Sequence, residues 1–324
     1  EAYEFPVIGM GAQNLWHAST GTWLDRTADL RSAFGETGSG IVDPKNEGAS
    51  AAVAGNVTPG AWLKLFGGTA ERDFSNTSAP TPGLLGPSYT YDSKWNQDHY
   101  GFMVGLDGGR ESLTASGQNQ AWLVGIMGGY TGSNLDFGNS DTDVDYKVGS
   151  IGAYVTYLNG GFFADAALKA DFGKIDYSSD LGGGFGDSFS TDFKSVGVTV
   201  DTGYRFNGAT GWFFEPKATL SYVRTTYDDA VVLGTGVSIN DADSLRGRLG
   251  ARLGTQMVSN GNIIEPWLEA SAWHEFKGDY TATLTSNGFN LPVSYDVGGT
   301  FGEVAGGANF INVGNGWSGF AKGA

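Results

Sequence analysis

The side chains that most often carry out chemistry in proteins are sparse in this sequence. There are three histidines, His17, His99 and His274, and no cysteine. No two histidines lie at the spacing of metal ligands, and zinc sites are built mainly from histidine, cysteine and carboxylates. The Gly-x-Ser-x-Gly turn of many serine hydrolases is also absent. The sequence therefore predicts no metal site, no cofactor and no catalytic residue.

The best-defined polar set lies in the last third of the chain. If Asn260-Gly261 is a two-residue hairpin turn, each arginine before the turn meets a glutamate after it, and leucine and alanine meet on the opposite face. One register satisfies both faces, which supports the turn. We expect the set to line a polar wall, with paired charges that keep the wall hydrated without trapping a passing chain. The set comprises Arg246, Arg248, Arg252, Glu265, Glu269 and Glu275. The predicted pairs are Arg246 with Glu275, Arg252 with Glu269, Gln256 with Glu265, and Leu253 with Leu268. The double variant Arg252→Leu with Glu269→Leu is expected to fold and to change pore conductance.

A sheet must hold these residues, because apolar and polar side chains alternate from residue 61 onward. Residues 195–206, for example, place Val196, Val198 and Val200 on one face and Thr199 and Asp201 on the other. The alternating segments run for roughly 12 to 18 residues, whereas strands of soluble proteins average about 5 or 6. Aromatic residues lie near the ends of the apolar faces, as at the two interfaces of a membrane. The pattern favours an all-β, antiparallel up-and-down transmembrane β-barrel over a soluble β-sandwich or lectin-type fold.

Connection lengths predict an orientation, because outer-membrane barrels have short periplasmic turns and longer external loops. In such a barrel, short and long connections alternate along the chain. The connection at 108–118 does not follow this rule, because it should be a short periplasmic one. A two-residue turn at Asn159-Gly160 would pair Val155 with Ala164 and Tyr154 with Asp165. Strands are predicted at 61–74, 91–107, 119–134, 143–158, 161–177, 189–206, 211–226, 244–258, 262–277 and 293–312, with another from 316. Short connections are predicted at 159–160, 207–210, 259–261 and 313–315, long ones at 75–90, 178–188, 227–243 and 278–292, and one of intermediate length at 135–142.

The first 60 residues follow a different pattern. Residues 12–34 carry Leu15, Trp16 and Trp23 at roughly helical spacing, which predicts one or two helical pieces. Residues 35–60 are rich in glycine, alanine, serine and asparagine and predict an irregular loop. The chain begins with neither a basic nor an apolar signal-peptide region, so we expect a piece of a longer precursor.

Charge and hydropathy limit the partners. The net charge of −16 argues against nucleic acid, whose phosphates require a basic surface. No run of 18 apolar residues occurs, so no transmembrane helix is predicted, but barrel strands need only alternating apolarity.

Several short segments occur in a characteristic order. They are Trp23–Arg31 before the first strand, Gly60–Lys64, Gly101–Asp107, Gly203–Phe206 with Trp212–Pro216, and Arg248–Gly254 with Glu265–Trp267. In this order and spacing they resemble the autotransporter β-domain family, and the resemblance covers nearly the whole chain.

The resemblance implies a barrel of 12 strands, about 11 of them present in this sequence, with an N-terminal helical linker in the lumen. Residues 1–60 would be the linker and residues 61–324 the barrel. The helical part of this linker would plug the lumen or tether the passenger, and it would include Trp16, Trp23, Arg26 and Arg31. Family members end in a final strand with a terminal aromatic residue. This sequence stops within the eleventh strand, so the last strand is expected to be missing.

The function implied is that of a translocator that exports and anchors an upstream passenger domain, without catalysis. It would lie in the outer membrane of a Gram-negative bacterium, in contact with lipid and lipopolysaccharide, after insertion by the barrel-assembly machinery with periplasmic chaperones. The alternatives are a porin-like diffusion pore without a passenger and a soluble adhesin. Some family members cleave their linker at an asparagine pair. The helical part here has only Asn14, so self-cleavage is not expected.

Overall fold

The computed structural model describes residues 2–36, 56–78, 89–114, 119–138, 140–180, 186–208, 211–232, 235–259, 262–312 and 317–323. These residues form one helix, α1 (Glu4–Glu36), followed by β1 (Asn56–Ser78), β2 (Tyr89–Leu113), β3 (Asn119–Phe137), β4 (Thr142–Asn159), β5 (Phe162–Asp180), β6 (Gly186–Tyr204), β7 (Phe206–Asn207), β8 (Trp212–Tyr227), β9 (Ala230–Val232), β10 (Thr235–Ile239), β11 (Ala242–Thr255), β12 (Met257–Ser259), β13 (Asn262–Glu275), β14 (Asp279–Ser286), β15 (Phe289–Asp296), β16 (Gly299–Asn312) and β17 (Trp317–Gly323).

The long strands form one antiparallel sheet that wraps around α1. Its order is β1-β2-β3-β4-β5-β6-β8-β11-β13-β16-β17, so each strand pairs with its neighbour along the chain. The short strands β7 and β12 pair with β8 and β13 and extend the same sheet. The helix contacts β1 to β6 and β8 of this sheet, and its side chains also reach Ser244 of β11 and Lys322 of β17. The predicted up-and-down β-barrel fold with an N-terminal helix in its lumen is confirmed, as a half-barrel of 11 strands that follow one another along the chain. Within the described residues β1 and β17 form its two edges and do not pair with each other.

The outer face carries an apolar band with aromatic residues at its margins. On β5, Phe162 and Phe172 are exposed, and Leu168 lies between them and is also exposed. The ten residues from one phenylalanine to the other rise about 3.3 Å each. At a strand tilt of roughly 40° they span about 25 Å, the height of the apolar band of outer-membrane barrels. The outer face therefore fits a bilayer.

The described part of the chain contains no helix that is both long enough and apolar enough to cross a membrane.

The register predicted for β11 and β13 is confirmed. Arg246 pairs with Glu275, Arg252 with Glu269, and Leu253 with Leu268. The turn residues 260 and 261 themselves lie outside the described residues.

The register predicted around Asn159 is wrong by two residues. Asn159 stays in β4 and pairs with Phe162, so Val155 meets Ala166 and Tyr154 meets Ala167. The turn consists of residues 160 and 161, and Gly160 has a φ of 56°. A glycine adopts this left-handed backbone without the steric cost that a side chain would add. Because the slip is two residues, every side chain keeps its face.

Several predicted element boundaries also change. The helical segment is one helix that begins at Glu4, well before residue 12. Strand β1 begins at Asn56, within the predicted loop 35–60, whose residues 37–55 lie outside the described residues. Strand β2 continues to Leu113, which shortens the connection predicted at 108–118 to residues 114–118. This connection is therefore shorter than predicted, but it is as long as the connection at 181–185, so longer connections at the opposite end, such as those at 79–88 and 228–241, carry the orientation.

Two of the predicted long loops contain a second sheet. Strands β9 and β10 lie within 227–243, and β14 and the first half of β15 lie within 278–292. They pair in the order β15-β14-β10-β9. Val237, Ala282 and Val293 of this sheet are buried in one cluster with Phe5 and Ile8 of α1. The second sheet therefore covers the first turns of the helix at the end of the barrel that carries the long connections.

Lumen-facing aromatic rings lie over glycines of neighbouring strands, and one such pair gives a test. Gly125 pairs with Tyr154, and a Cβ at Gly125 would overlap the tyrosine ring. We expect Gly125→Ala to cost about 1–3 kcal/mol by overpacking, measured as the free energy of unfolding in urea by tryptophan fluorescence. Gly149→Ala is the matched control, because its Cβ would meet no atom closer than 3.9 Å. Equal unfolding midpoints for the two variants would contradict the packing argument.

Candidate functional site

The helix α1 fills the length of the lumen. Its 33 residues correspond to about 50 Å at 1.5 Å per residue, longer than the roughly 30 Å of a membrane core. Apolar side chains are buried on more than one face, as expected of a helix that is enclosed on all sides. Trp16 and Trp23 are both almost fully buried. Trp16 lies 5.0 Å from the Lys169 ammonium, and Trp23 packs against Tyr154 with ring centroids 6.0 Å apart.

The direction of α1 follows from its contacts. Near its start, the Glu4 carboxylate accepts a hydrogen bond of 2.9 Å from Thr142, the first residue of β4. Near its end, Arg31 contacts Asp165, close to the two-residue turn between β4 and β5. The helix therefore runs from the end of the barrel with long connections to the end with short turns.

Arg26 is held by a chain of hydrogen bonds on the β1–β4 side of the lumen. Its guanidinium donates to both oxygens of Asp107, at 2.9–3.0 Å. The Tyr154 hydroxyl also donates to Asp107, at 2.7 Å, and accepts from Trp62 Nε1 at 2.9 Å. A bidentate guanidinium–carboxylate pair fixes geometry as well as charge, so this contact fixes the rotation of α1.

Arg31 is the most heavily paired residue of the helix. It is almost fully buried and lies 2.7 Å from Asp165, 3.3 Å from Glu215 and 3.9 Å from Asp201. Its guanidinium also stacks 3.8 Å from the centre of the Phe163 ring. Three strands, β5, β6 and β8, contribute these carboxylates, so Arg31 bridges a wide arc of the wall.

The predicted arginine–glutamate set faces the lumen, and it is part of a larger network. Glu269 accepts from Lys217 at 2.7 Å, from Arg248 at 3.2 Å and from Arg252 at 3.1 Å. The other predicted glutamates have partners as well: Arg246 lies 2.8 Å from Glu275, and Arg205 lies 2.6 Å from Glu265.

Sequence reasoning missed the members of this network that lie on β6 and β8. Asp201 lies 3.6 Å from Arg248, and Lys217 pairs with Glu269. Their alternation within their strands was a usable signal, because Asp201 and Lys217 occupy the polar face of their segments. No hairpin turn joined them to the arginines, so their partners could not be assigned.

The lumen also retains space beside the helix. A cavity of about 750 Å³ is lined by His17, Thr20 and Thr22 of α1 and by Lys217, Arg248 and Glu269 of the wall. A cavity of this size with a polar lining favours water. The wall of paired charges and the cavity together form a polar passage that α1 largely occupies.

The three histidines do not form a site. His17 contacts the Ser244 hydroxyl in the lumen at 3.0 Å, whereas His274 contacts Thr300 on the outer face. Among the described residues, no three histidine, cysteine or carboxylate side chains are grouped to hold a metal ion. Outside the spanning strands, burial raises the pKa of the Tyr280 phenol. The Tyr280 hydroxyl donates to the Gln13 side chain at 2.5 Å.

Comparisons with known proteins agree on one family. The family model described as autotransporter beta-domain matches residues 61–324. Pertactin autotransporter from Bordetella parapertussis is 31% identical over 202 residues, which are 60% of this chain and 21% of that protein. The chain thus spans about a fifth of the length of the pertactin and BrkA autotransporters that it matches.

Two solved structures share the fold. The beta domain of the Bordetella autotransporter BrkA is similar with a TM-score of 0.55 and 22% identity, over 82% of this chain and 97% of that chain. The translocator domain of the autotransporter NalP from Neisseria meningitidis is similar with a TM-score of 0.51 and 17% identity, over 94% of this chain and 90% of that chain.

Proposed function

The chain belongs to the autotransporter β-domain family, and we propose that its barrel conducts an upstream passenger domain across the membrane and then tethers it through α1. As a member of this family it is a translocator domain of the outer membrane of a Gram-negative bacterium. The family implies an upstream passenger.

The direction of α1 is the observation that carries the proposal. Its first residues lie at the end of the barrel with long connections, beneath the second sheet, and its last turns lie at the end with short turns. In outer-membrane barrels the long connections are external. A segment that precedes α1 therefore leaves the barrel toward the outside, as a passenger must.

The lumen suits passive conduction. Its charges are paired, so a polypeptide meets a hydrated wall without a strong attraction to either sign. We propose that residues 1–60 act as the linker and residues 61–324 as the barrel, that the arginine–glutamate set serves the lumen wall, and that the domain itself performs no catalysis. We also propose lipopolysaccharide and lipid as partners of the outer face, where Phe162, Leu168 and Phe172 are exposed. Insertion by the barrel-assembly machinery with periplasmic chaperones is proposed from family membership.

A reporter domain fused ahead of Glu1, behind a signal peptide, tests the proposal. In intact cells we expect added protease to digest most of the reporter, because it lies outside the cell. Single cysteines report orientation, since the chain has none of its own. A membrane-impermeant maleimide should label Ser286→Cys, next to the turn between β14 and β15, and should spare Asn207→Cys near a short turn.

The same reporter with a signal peptide and no barrel is the control, and it should remain protected in the periplasm. A protected reporter on the barrel fusion, or labelling of Asn207→Cys alone, would overturn the proposal. A porin-like diffusion pore would also leave the reporter of the barrel fusion protected, so a digested reporter distinguishes the translocator from a pore of that kind.

A further inference from the structure

Three side chains of the barrel wall bind main-chain oxygens of α1 near the end with long connections. The Tyr146 hydroxyl donates to the carbonyl of Ile8 at 2.8 Å, and the Tyr227 hydroxyl donates to the carbonyl of Gly9 at 2.7 Å. Gln97 Nε2 donates to the carbonyl of Gly11 at 3.1 Å. These donors come from β4, β8 and β2, so they reach the helix from different sides. We call Gln97, Tyr146 and Tyr227 the carbonyl site.

Binding of this kind is compatible with an intact helix. A carbonyl oxygen has two lone pairs, so it can accept the helical N–H and a second donor at once. The contact does not depend on the side chain of the residue that carries the carbonyl. The carbonyl site can therefore bind the main chain of a helical segment whatever its side chains are, provided that the donors can approach.

Two glycines of α1 allow this approach. A Cβ at Gly11 would lie 2.5 Å from the Tyr146 oxygen, and a Cβ at Gly9 would lie 3.0 Å from Ile239 and 3.5 Å from the Tyr227 oxygen. Glycine is disfavoured in the interior of a helix, so two glycines in one turn require a local reason. Close approach of the wall supplies that reason. At Gly21, farther along the same helix, a Cβ would meet nothing within 4 Å.

The other half of α1 is bound by different chemistry. Arg26 and Arg31 reach Asp107 and Asp165 through charged side chains. The two halves of α1 therefore place separate requirements on its sequence. One half requires arginine at positions 26 and 31, and the other requires glycine at positions 9 and 11.

We propose that the carbonyl site binds the Gly9-Met10-Gly11 turn and so sets the position at which a polypeptide comes to rest in the lumen. The stopping role depends on the proposed function, since it presumes that a chain moves through the barrel. A moving segment offers carbonyls at every residue, but a side chain at the position of Gly11 holds Tyr146 away, and one at the position of Gly9 crowds Ile239 of the second sheet. When the two glycines arrive, all three donors reach their acceptors together, and this register is bound more tightly than its neighbours.

Gly11→Ala and Gly21→Ala form a matched pair for the test. Both substitutions raise intrinsic helix propensity equally, and only the first places a methyl group against Tyr146. In planar bilayers we expect Gly11→Ala to increase the fraction of time in a high-conductance, unplugged state at least tenfold over the unaltered protein. Gly21→Ala should leave that fraction unchanged. Adding Tyr146→Phe to Gly11→Ala removes the tyrosine oxygen, which is the atom nearest to the new methyl group. The double variant should therefore spend less time in the unplugged state than Gly11→Ala alone.

A second readout follows the position of the helix. Cysteines replacing His17 and Ser244, whose side chains are 3.0 Å apart, should be joined by a short bis-thiosulfonate reagent. The cross-link should persist with Gly21→Ala and fall at least threefold with Gly11→Ala. Both readouts use folded protein selected by its heat-modifiable migration in gels.

Equal conductance and equal cross-linking for the two alanine variants would overturn the carbonyl site. Failure of the proposed function shows differently, as a protected reporter on the unaltered barrel. A third outcome is possible: Gly11→Ala and Gly21→Ala differ in conductance but show equal cross-linking between positions 17 and 244. The carbonyl site would then bind the helix without determining where the chain comes to rest, and the stopping role would be refuted.

Discussion

Replacing Arg31 with methionine is expected to lower the free energy of unfolding by about 3–5 kcal/mol, the usual cost of removing one partner of a buried ion pair. The guanidinium is nearly inaccessible and faces three carboxylates, of which Asp165 at 2.7 Å is the nearest. Without it these charges remain buried with too little compensation. The measurement is equilibrium unfolding in guanidinium chloride in detergent micelles, followed by tryptophan fluorescence.

Two further variants separate this cause from others. Arg31→Met with Asp165→Asn should recover part of the loss, because it removes one of the uncompensated carboxylates. Lys277→Met removes an ion pair of 3.2 Å that is half exposed, and such pairs contribute about 0–1 kcal/mol. A loss in Arg31→Met no larger than that in Lys277→Met would show that the three carboxylates do not depend on Arg31.

Glu269→Gln is the second variant for which we expect a large effect, again about 3–5 kcal/mol. Glu269 lies between Lys217, Arg248 and Arg252, at 2.7–3.2 Å, and is the carboxylate nearest to each of them, since Asp201 lies farther from Arg248, at 3.6 Å. The amide keeps the shape of the side chain and removes the charge, so three cations lose their shared carboxylate, and among the described residues only Arg248 keeps a second ion pair, with Asp201. Unfolding in guanidinium chloride measures the loss, and a reversal potential under a salt gradient should shift toward anion selectivity.

Arg252→Met is the matched comparison. It leaves Glu269 with two cations and should cost less, about 1–3 kcal/mol. The double variant Arg252→Leu with Glu269→Leu, which would be mild if the two residues formed an isolated pair, should instead be about as unstable as Glu269→Gln. A double variant as stable as Arg252→Met would restore the view of isolated pairs.

Much of the barrel could be predicted from the sequence, because strand alternation is a local property. A period of two assigns each side chain to the lipid or the lumen without knowledge of any neighbour. Val196 and Asp201 were placed correctly in this way. Where one short turn joins two strands, the register follows as well, as for Arg252 and Glu269. Even the error at Asn159 preserved the faces, since it was a slip of two residues.

The tertiary structure alone decided which charges meet across the lumen. Arg31 finds Asp165, Asp201 and Glu215 on three strands that no single turn relates. These contacts depend on the rotation and height of α1, and those depend on the packing of Gly9 and Gly11 against the wall. The second sheet escaped prediction for a similar reason. Its strands are short, and they are stabilised by burial against the first turns of α1, a contact between segments more than 200 residues apart. Alternation within a strand carries no information about such contacts, because they arise only when the sheet has curved around the helix.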